Sequence, residues 1–451
     1  MPARFLYKSY AGFYTFSRWR RRHFTPAGMM VVFAVFLSGI LGFNILKTTL
    51  YQIMAFGFCV MTVSMVLSLF PFKLKVRIHR VLPEYATVND TISYEIDITN
   101  FSTKTQKGLI LYENIQDPRP AYETLLSKKE PFEHLRNTWD RKTLYYRWLW
   151  LIRKAGKAQF FPIELPDLPA GETVTVISKI VPQYRGYIHF SGVTFARPDA
   201  IGLFNRLFHI KKVQRLLVLP KRYQLETPDL DSTRQYHPGG ISLAASIGNS
   251  DEFMSLRQYR PGDALRNIHW RTFAKTNELV IKEFEDEYFV RHALILDTVL
   301  NSEDETLFEE AVSIASSYIT SLQTHESILD LMFVGNRIYS FSSGRGIAHS
   351  EKMLEIMACV EPCEDKTVFE LMPTLAANIQ QFSGAICIFL DWDKGHKKIY
   401  QLFKQSALPV FIVVLTENKL KMEEKIFQDM MVRTGIKVVE KGQIQSALGR
   451  I

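Results

Sequence analysis

Two long apolar runs near the start of the chain limit the fold more than any other feature. They cover roughly residues 27–46 and 48–70, and only Lys47 separates them. Each run approaches the roughly 20 residues that a helix needs to cross the hydrocarbon core of a bilayer. The alternative is a cleaved signal peptide, but the apolar stretch is too long and no small-residue cleavage pattern follows it. We therefore expect a transmembrane helical hairpin over residues 26–70.

The distribution of charge indicates how such a hairpin would be oriented. The chain has 451 residues and a formal charge of +9, yet residues 1–80 contain eleven Lys and Arg and no Asp or Glu, which leaves 44 cations and 46 anions for the rest. An excess confined to the flanks of the apolar runs is typical of a membrane anchor rather than of a nucleic-acid-binding face. Both outer flanks are cationic, with Arg18, Arg20, Arg21 and Arg22 before the first run and Lys73, Lys75, Arg77 and Arg80 after the second. This pattern predicts that residues 1–25 form a basic cytoplasmic tail and that both termini are cytoplasmic.

A cytoplasmic location also bears on the four cysteines. A reducing compartment disfavours disulfides, and no histidine stands near the cysteines at the spacing of metal ligands. We expect Cys59, Cys359, Cys363 and Cys387 to be ordinary buried or semi-buried residues.

Residues 71–220 have the pattern of a β domain. The stretch "TISYEIDIT" alternates apolar Ile92, Tyr94, Ile96 and Ile98 with polar residues, and "ETVTVISKI" and "YIHFSGVTF" are further short strands between Pro and Gly. Short strands without helices predict a β-sandwich-like domain of immunoglobulin type.

An insertion at about residues 118–160 interrupts the β pattern with many Arg, Lys, Trp and Tyr residues. One hypothesis is an interfacial helix whose residues 136–157 contact anionic lipid. The alternative is an amphipathic helix packed on the sandwich, and nucleic-acid binding is the least favoured interpretation.

Residues 290–451 have an α/β pattern. The buried-strand run "HALILD" precedes a helix predicted by a Ser302–Glu305 capping box and by apolar residues at 307, 311, 314 and 318. Further apolar strands alternate with helices, which predicts a mostly parallel sheet covered on both faces. Ligands bind such sheets beyond the carboxyl ends of the strands, where Asp297, Asp391 and Asp393 are expected.

This C-terminal part resembles a von Willebrand factor type A domain, which is a Rossmann-like α/β fold. In that family a metal-ion-dependent adhesion site uses an Asp-x-Ser-x-Ser loop, a Thr on a second loop and an Asp on a third. Here the matching residues are Asp297, Asn301, Thr367 and Asp391, and Val299 replaces the first serine. The resemblance implies a degenerate site for Mg²⁺ or Mn²⁺. In the alternative, Asp297 and Asp391 only accept hydrogen bonds from loop N–H groups.

A second resemblance lies in residues 221–289, the signature segment. The stretch from Ala245 to Tyr288 resembles domain-of-unknown-function family 58 through Glu252, Phe253, Leu256, Arg257, Tyr259, Pro261, Gly262, Asp263, Arg266, Ile268, Trp270, Ile281, Lys282, Phe284 and Glu285. Upstream, "YRGYIHFSGVTFARPDAIGLFNR" also resembles the family, with Pro and Asp in reverse order. The glycine-rich turn before Glu252 is altered to Gly-Asn-Ser.

The arginines of the signature segment have two interpretations. Acidic residues Glu283, Glu285, Asp286 and Glu287 follow closely, which favours bidentate pairing that clamps the segment onto the type A-like domain. The alternative is a site for an anion or a partner protein. Trp270 is expected in the core.

Catalytic motifs are missing from the sequence. It contains no P-loop, no G-x-S-x-G elbow, no H-E-x-x-H and no C-x-x-C. His237, His269 and His292 are scattered and are expected to be structural.

These observations favour a non-enzymatic scaffold in the bacterial inner membrane. Members of the family that the chain resembles are often encoded near MoxR-type AAA+ ATPases, which implies such an ATPase as a partner in the assembly or maturation of other proteins, together with other membrane proteins. The expected contact surface is the one around Asp297, Asn301, Thr367 and Asp391. The alternatives are a metal-assisted hydrolase that uses Asp297, Asp391 and Asp393 with the arginine cluster, and a lipid-surface sensor built on the basic aromatic insertion.

Overall fold

The computed structural model describes residues 2–41, 48–70, 72–228, 230, 253–284, 290–300, 305–322, 327–342, 347–363, 366–427 and 435–449. The chain divides into two compact units, Met1–Lys221 and Arg222–Ile451. We call them the N-terminal unit and the C-terminal unit.

Three long helices open the N-terminal unit: α1 over Pro2–His23, α2 over Pro26–Leu41 and α3 over Thr48–Leu69. Thr25 caps α2, since its Oγ1 accepts a 3.0 Å hydrogen bond from the Gly28 N–H group. Among the described residues only α3 is both long and apolar enough to cross a membrane, with a mean hydropathy of 1.9 over Thr49–Leu69, whereas α2 is apolar but has 16 residues. The described residues thus contain one candidate membrane span, and residues 42–47 of the predicted hairpin lie outside them.

Nine strands follow in the N-terminal unit. They are β1 over Val76–Val81, β2 over Tyr85–Thr87, β3 over Ile92–Asn100, β4 over Ile110–Ile115, β5 over Ala158–Phe160, β6 over Ile163–Glu164, β7 over Thr173–Pro182, β8 over Gly186–Pro198 and β9 over Asn205–Leu219. They form two sheets, in the orders β1-β3-β7-β5 and β2-β9-β8-β4-β6, and only the β2–β9 pair is parallel. The alternation predicted for "TISYEIDIT" is confirmed, because Tyr94, Ile96 and Ile98 on β3 are buried in one core with Phe190 of the second sheet.

The basic aromatic insertion consists of several short helices rather than one. These are α4 over Tyr122–Ser127, a 3₁₀ turn over Glu133–Leu135, α5 over Thr138–Thr143 and α6 over Tyr145–Gly156. Leu144 adopts a left-handed conformation with φ of 57°, which ends α5 and begins α6 at a new angle. Leu125, Trp148 and Leu151 form a small core beneath these helices, against which Tyr7 and Tyr10 of α1 pack.

The C-terminal unit contains a hairpin and a larger α/β body. The hairpin comprises β10 over Phe253–Gln258, α7 over Trp270–Thr276 and β11 over Val280–Phe284. The body comprises β12 over Val290–Leu296, α8 over Glu305–Ser321, β13 over Ser327–Val334, β14 over Ile338–Ser342, α9 over Ile347–Cys359, α10 over Met372–Asn378, β15 over Gly384–Phe389, α11 over Lys394–Gln405, β16 over Val410–Thr416, α12 over Lys419–Phe427, β17 over Ile436–Glu440 and α13 over Ile444–Leu448.

The body is built on one six-stranded sheet. Its order is β14-β13-β12-β15-β16-β17, and every pair except β13–β14 is parallel. The predicted mostly parallel sheet is therefore confirmed, and so is the apolar face of α8, since Leu307, Ala311, Ile314 and Tyr318 are buried. Ser302 of the predicted capping box lies outside the described residues. The strand order reverses between β12 and β15, and their adjacent carboxyl ends form the position at which sheets of this kind bind ligands.

Candidate functional site

Asp297 directly follows β12 at this reversal point and is almost completely buried, with 1% of its surface exposed. Its Oδ1 accepts a hydrogen bond from the Val299 N–H group at 2.9 Å, and its Oδ2 accepts one from the Leu390 N–H group at 3.1 Å. The side chain thereby joins the loop after β12 to the loop after β15. This agrees with the structural alternative stated for Asp297 above.

His396 also contacts Asp297, and the sequence analysis did not identify this histidine. Its Nε2 lies 3.0 Å from Asp297 Oδ2 and its Nδ1 lies 2.7 Å from Asp393 Oδ1. Asp393 is the N-cap of α11 and accepts hydrogen bonds from the Gly395 and His396 N–H groups. His396 stands at the third position of that helix, so the spacing of Asp393 and His396 is that of a capping box, a signal present in "FLDWDKGH".

The two carboxylates favour the charged form of the imidazole. Burial alone would lower the pKa of His396, but the hydrogen bonds and charges of Asp297 and Asp393 outweigh burial and raise the pKa. The pKa of Asp393 is in turn lowered, because hydrogen bonds from the backbone and ring of His396 outweigh the effect of burial. A charged imidazole, able to donate from both nitrogens, is the form that matches two acceptor carboxylates.

This arrangement predicts a pH dependence of stability. Because the pKa of His396 is raised in the folded chain, its contribution is fully present below the unfolded value of about 6.5 and is lost as the pH rises through the folded pKa. We expect the opening free energy of the α/β body, measured by hydrogen exchange, to fall as the pH rises above about 6.5. In His396→Gln this fall should be absent. An equal fall in the wild-type chain and in His396→Gln would contradict the prediction. Burial lowers the pKa of His292, but both proteins contain His292, so it does not contribute to the difference between them.

Two of the other predicted metal ligands, Asp391 and Thr367, belong to the described residues. Asp391 is half-buried and forms an ion pair with Lys425, while its Oδ1 also accepts the Trp392 N–H group. Thr367 is exposed and precedes a 3₁₀ helix over Val368–Leu371 without a side-chain capping bond. Asn301 lies outside the described residues.

The described residues do not fit a divalent cation at this position. Both oxygens of Asp297 already accept N–H groups, its Oδ2 also contacts His396, and Asp391 is paired with Lys425. Val299 is buried, and no group of three or more His, Cys, Asp or Glu residues in the described part of the chain could hold a metal ion. The side chains of Asp297 and His396 are themselves buried, with 1% and 3% of their surface exposed.

The signature hairpin forms a second candidate site. The turn Pro261-Gly262-Asp263 has Gly262 at φ of 109°, a conformation that favours glycine. Arg257 on β10 grips Asp263 with two hydrogen bonds, 2.7 Å from Nη2 to Oδ1 and 2.8 Å from Nη1 to Oδ2, and the Arg260 N–H group donates to Oδ2 at 2.8 Å. These bonds, led by those from Arg257, lower the pKa of Asp263 to about 2. The bidentate pair of Arg257 is therefore formed with Asp263, inside the turn of the same hairpin.

Three of the acidic residues predicted as partners of the arginines, Glu285, Asp286 and Glu287, lie outside the described residues, as does Glu252 of the signature. Of the remaining signature residues, Phe253 begins β10, Lys282 is paired with Leu256 across the two strands, and the Tyr259 N–H group donates to the Leu279 carbonyl at 2.9 Å. Arg266 is exposed in a 3₁₀ turn over Leu265–Asn267.

The expectation that Trp270 lies in the core is wrong. Trp270 begins α7 and is 61% exposed, whereas Ile268 and Ile281 fill the inside of the hairpin. Leu256, Leu265 and Leu279 of the same hairpin are also exposed. The signature therefore presents a tryptophan and several leucines at the surface, which the sequence analysis missed because an apolar residue in a short helix is ordinarily buried.

A third motif, "RPDAIGLFNR", has a structural role in the N-terminal unit. Asp199 accepts hydrogen bonds from the N–H groups of Gly202 and Leu203 and from the hydroxyl of Ser64 on α3. The carbonyls of Gly202 and Leu203 accept from Thr25, the cap of α2. The turn between β8 and β9 therefore fastens both apolar helices to the β domain.

Comparison with known proteins agrees with the resemblance of the signature segment. A family model described as "Protein of unknown function DUF58" matches residues 255–388, which include most of the hairpin and the end of β12 at Asp297. The chain is also similar to "Uncharacterized protein YeaD" of Bacillus subtilis (strain 168), with 28% identity over 178 residues, which are 39% of this chain and 42% of that protein. The chain thus spans less than half of the length of this relative.

Similarities to solved structures are weak. Trypsin-activated alpha-2-macroglobulin from Escherichia coli has 16% identity and a TM-score of 0.19 over 43% of this chain and 9% of that one. Salmonella alpha-2-macroglobulin reacted with methylamine has 10% identity and a TM-score of 0.19 over 36% of this chain and 9% of that one. At this TM-score neither structure supports an inference about fold or function.

Proposed function

We propose that this chain is a membrane-anchored, cytoplasm-facing scaffold that presents its signature hairpin to a partner protein. The observation that carries the proposal is the surface of that hairpin, where Trp270 and Leu265 are exposed on an element held rigid by the Arg257–Asp263 pair. The surface lies in the segment that matches the family of unknown function.

The composition of this surface favours protein binding. Tryptophan and arginine are the residues most enriched among those that dominate binding energy at protein interfaces. Arg260, Arg271 and Lys275 are exposed on the same hairpin, which favours a partner with a negative surface. The strand-end carboxylates, by contrast, are turned inward or paired.

The nature of the partner follows from what the sequence lacks and from the family that it resembles. With no P-loop in its sequence, the chain would rely on another protein for energy from ATP. We propose a MoxR-type AAA+ ATPase, which would act through this scaffold on the assembly or maturation of other membrane proteins.

The α/β body would be a von Willebrand factor type A-like domain. Support comes from its six-stranded sheet, in which β14 alone is antiparallel and lies at the edge, and from the reversal of strand order beside Asp297. In this proposal the degenerate adhesion site has a structural role, with His396 in contact with Asp297.

The anchor would consist of α3 together with α2 in the bacterial inner membrane. The length and hydropathy of α3 support it, as do the cations on the outer flanks of the two helices, which favour both termini in the cytoplasm. The turn at Asp199, fastened to both helices, would hold the β domain close to the membrane.

The test is a pull-down of the tagged full-length chain from native membranes in mild detergent, followed by mass spectrometry. We expect the wild-type chain to recover an AAA+ ATPase and Trp270→Ala to recover at least about tenfold less, since removal of a central aromatic anchor typically costs 2 kcal/mol or more of binding energy. Because Trp270 is exposed, the substitution should leave the fold intact.

Trp139→Ala is the matched control, because Trp139 is 75% exposed and lies in the basic aromatic insertion rather than in the hairpin. It should recover the ATPase at the wild-type level. If Trp270→Ala recovered the same amount as wild type, or if the wild-type chain recovered no ATPase, the proposed function would be wrong.

A further inference from the structure

Helix α1 has two apolar faces, and only one of them is covered by protein. The covered face carries Tyr7 and Tyr10, whose hydroxyls donate to the carbonyls of Pro120 at 3.1 Å and Thr143 at 2.9 Å. The ring of Tyr7 also packs edge-on against Trp148, with centroids 5.4 Å apart. This face therefore fixes α1 to the basic aromatic insertion.

The opposite face carries a row of exposed phenylalanines. Phe5, Phe13 and Phe16 are 72%, 70% and 57% exposed. At 3.6 residues per turn these three positions lie within about 80° of one another around the helix. Three exposed aromatic rings on one face of a docked helix form a patch of the kind that marks an interaction site.

Two features of α1, its positive charge and its direct connection to α2, indicate what covers this patch. Helix α1 contains no acidic residue, and Arg20 and Arg21 are exposed near its end. Only Phe24 and Thr25 separate α1 from α2, whose own phenylalanines Phe33 and Phe36 are exposed to the surroundings as well. A cationic helix with an aromatic row that leads directly into apolar helices matches an anionic lipid surface.

We propose that α1 lies in the headgroup layer of an anionic bilayer, with Phe5, Phe13 and Phe16 at the boundary of the acyl chains. The tyrosine face of α1 then carries the basic aromatic insertion on its cytoplasmic side. The lipid contact expected for residues 136–157 is in this way made by α1, while Trp148 of the insertion is buried against it. This inference rests on the membrane anchoring in the proposed function.

The test uses a spin label at Ser9, which lies between Phe5, Phe13 and Phe16 on the exposed face. The full-length chain, with its other accessible cysteines Cys59, Cys359 and Cys363 changed to serine, carries Ser9→Cys and is placed in nanodiscs. One set contains phosphatidylglycerol with phosphatidylcholine and the other phosphatidylcholine alone. Collisions with oxygen report lipid, and collisions with a water-soluble nickel complex report water.

Two control positions make the result interpretable. Ser93 is exposed on β3 and pairs with Lys179 near the end of β7, which leads into the start of β8, whereas the Asp199 turn follows the other end of β8. A label at Ser93→Cys should therefore report water. Phe56→Cys is exposed on α3 and should report lipid if α3 spans the bilayer. A label at Phe56 that reported water would overturn the anchoring in the proposed function, whereas a failure at Ser9 alone would overturn only the present inference.

We expect the ratio of oxygen to nickel collisions at Ser9 to exceed that at Ser93 severalfold in the anionic nanodiscs. An equally high ratio in the phosphatidylcholine nanodiscs would also support the lipid contact and would assign it to the phenylalanine row. A ratio at Ser9 equal to that at Ser93 in both lipids would overturn the proposal. So would low accessibility to both reagents, which would show that a second protein covers this face.

Discussion

Replacing Asp297 with alanine should lower the free energy of opening of the α/β body by about 3–5 kcal/mol at a pH below 6.5, where the raised pKa of His396 keeps the imidazole charged and the substitution removes one partner of a buried ion pair. The substitution leaves the cationic His396 without its more deeply buried partner and leaves the N–H groups of Val299 and Leu390 without an acceptor. Hydrogen exchange of the amides in β12 and β15, which this carboxylate connects, measures the effect directly.

Asp391→Ala is the matched control, since this carboxylate also follows β15 but is partly exposed and pairs with the exposed Lys425. We expect a loss of less than about 1 kcal/mol from it, as is usual for surface ion pairs. Equal small losses for the two substitutions would show that Asp297 does not stabilise the loops after β12 and β15. A large loss for Asp297→Ala alone means that any accompanying loss of partner binding reports unfolding and not a lost contact.

Periodicity predicted the regular elements of this chain because their burial repeats with the geometry of the backbone. The alternation on β3 places one face in a core, and the residues at helical spacing on α8 are buried as predicted, although α8 is buried all round from Ala311 to Ile319. The parallel sheet followed in the same way from apolar strands that alternate with helices. Such signals are local, so they can be read from a short stretch of sequence.

The features that sequence analysis missed depend on contacts or backbone conformations that no local pattern encodes. His396 meets Asp297 across 99 positions in the sequence, and only the capping-box spacing with Asp393 is local. The left-handed conformation of Leu144, which divides the insertion into separate helices, has no residue signal because it is neither glycine nor asparagine. Trp270 is exposed, and the proposed reason is that a partner rather than this chain covers it.

The buried pair of Arg80 and Glu113 leads to the second large expected effect. Both side chains are fully buried between the two sheets of the β domain. Arg80 donates to both oxygens of Glu113, at 3.0 Å from Nε and 2.6 Å from Nη2, and to Gln214 at 2.7 Å, while its guanidinium lies 4.5 Å from the centre of the Phe190 ring. Burial and the charge of Glu113 raise the pKa of Tyr94, whose hydroxyl donates to this carboxylate at 2.9 Å.

Arg80→Leu should therefore cost the β domain about 3–5 kcal/mol, because Glu113 would remain buried without its cation. The double variant Arg80→Leu with Glu113→Leu should recover most of this loss, since apolar side chains of similar volume leave no uncompensated charge. A loss of about 1–3 kcal/mol should remain in the double variant, because the hydroxyl of Tyr94 loses its acceptor. Adding Tyr94→Phe should remove that remainder.

The measurement is the opening free energy from hydrogen exchange of the amides in β1, β3 and β4, compared across the single, double and triple variants. A double variant as unstable as Arg80→Leu would show that the ion pair itself supplies net stability. In that case the loss in Arg80→Leu would not come from the unpaired charge of Glu113. The predicted recovery would instead assign the pair a role in specificity. Arg80 lies on β1 of one sheet, and its charge is compensated only where Glu113 on β4 of the other sheet faces it. This requirement fixes how the two sheets are aligned above the Asp199 turn and its helices.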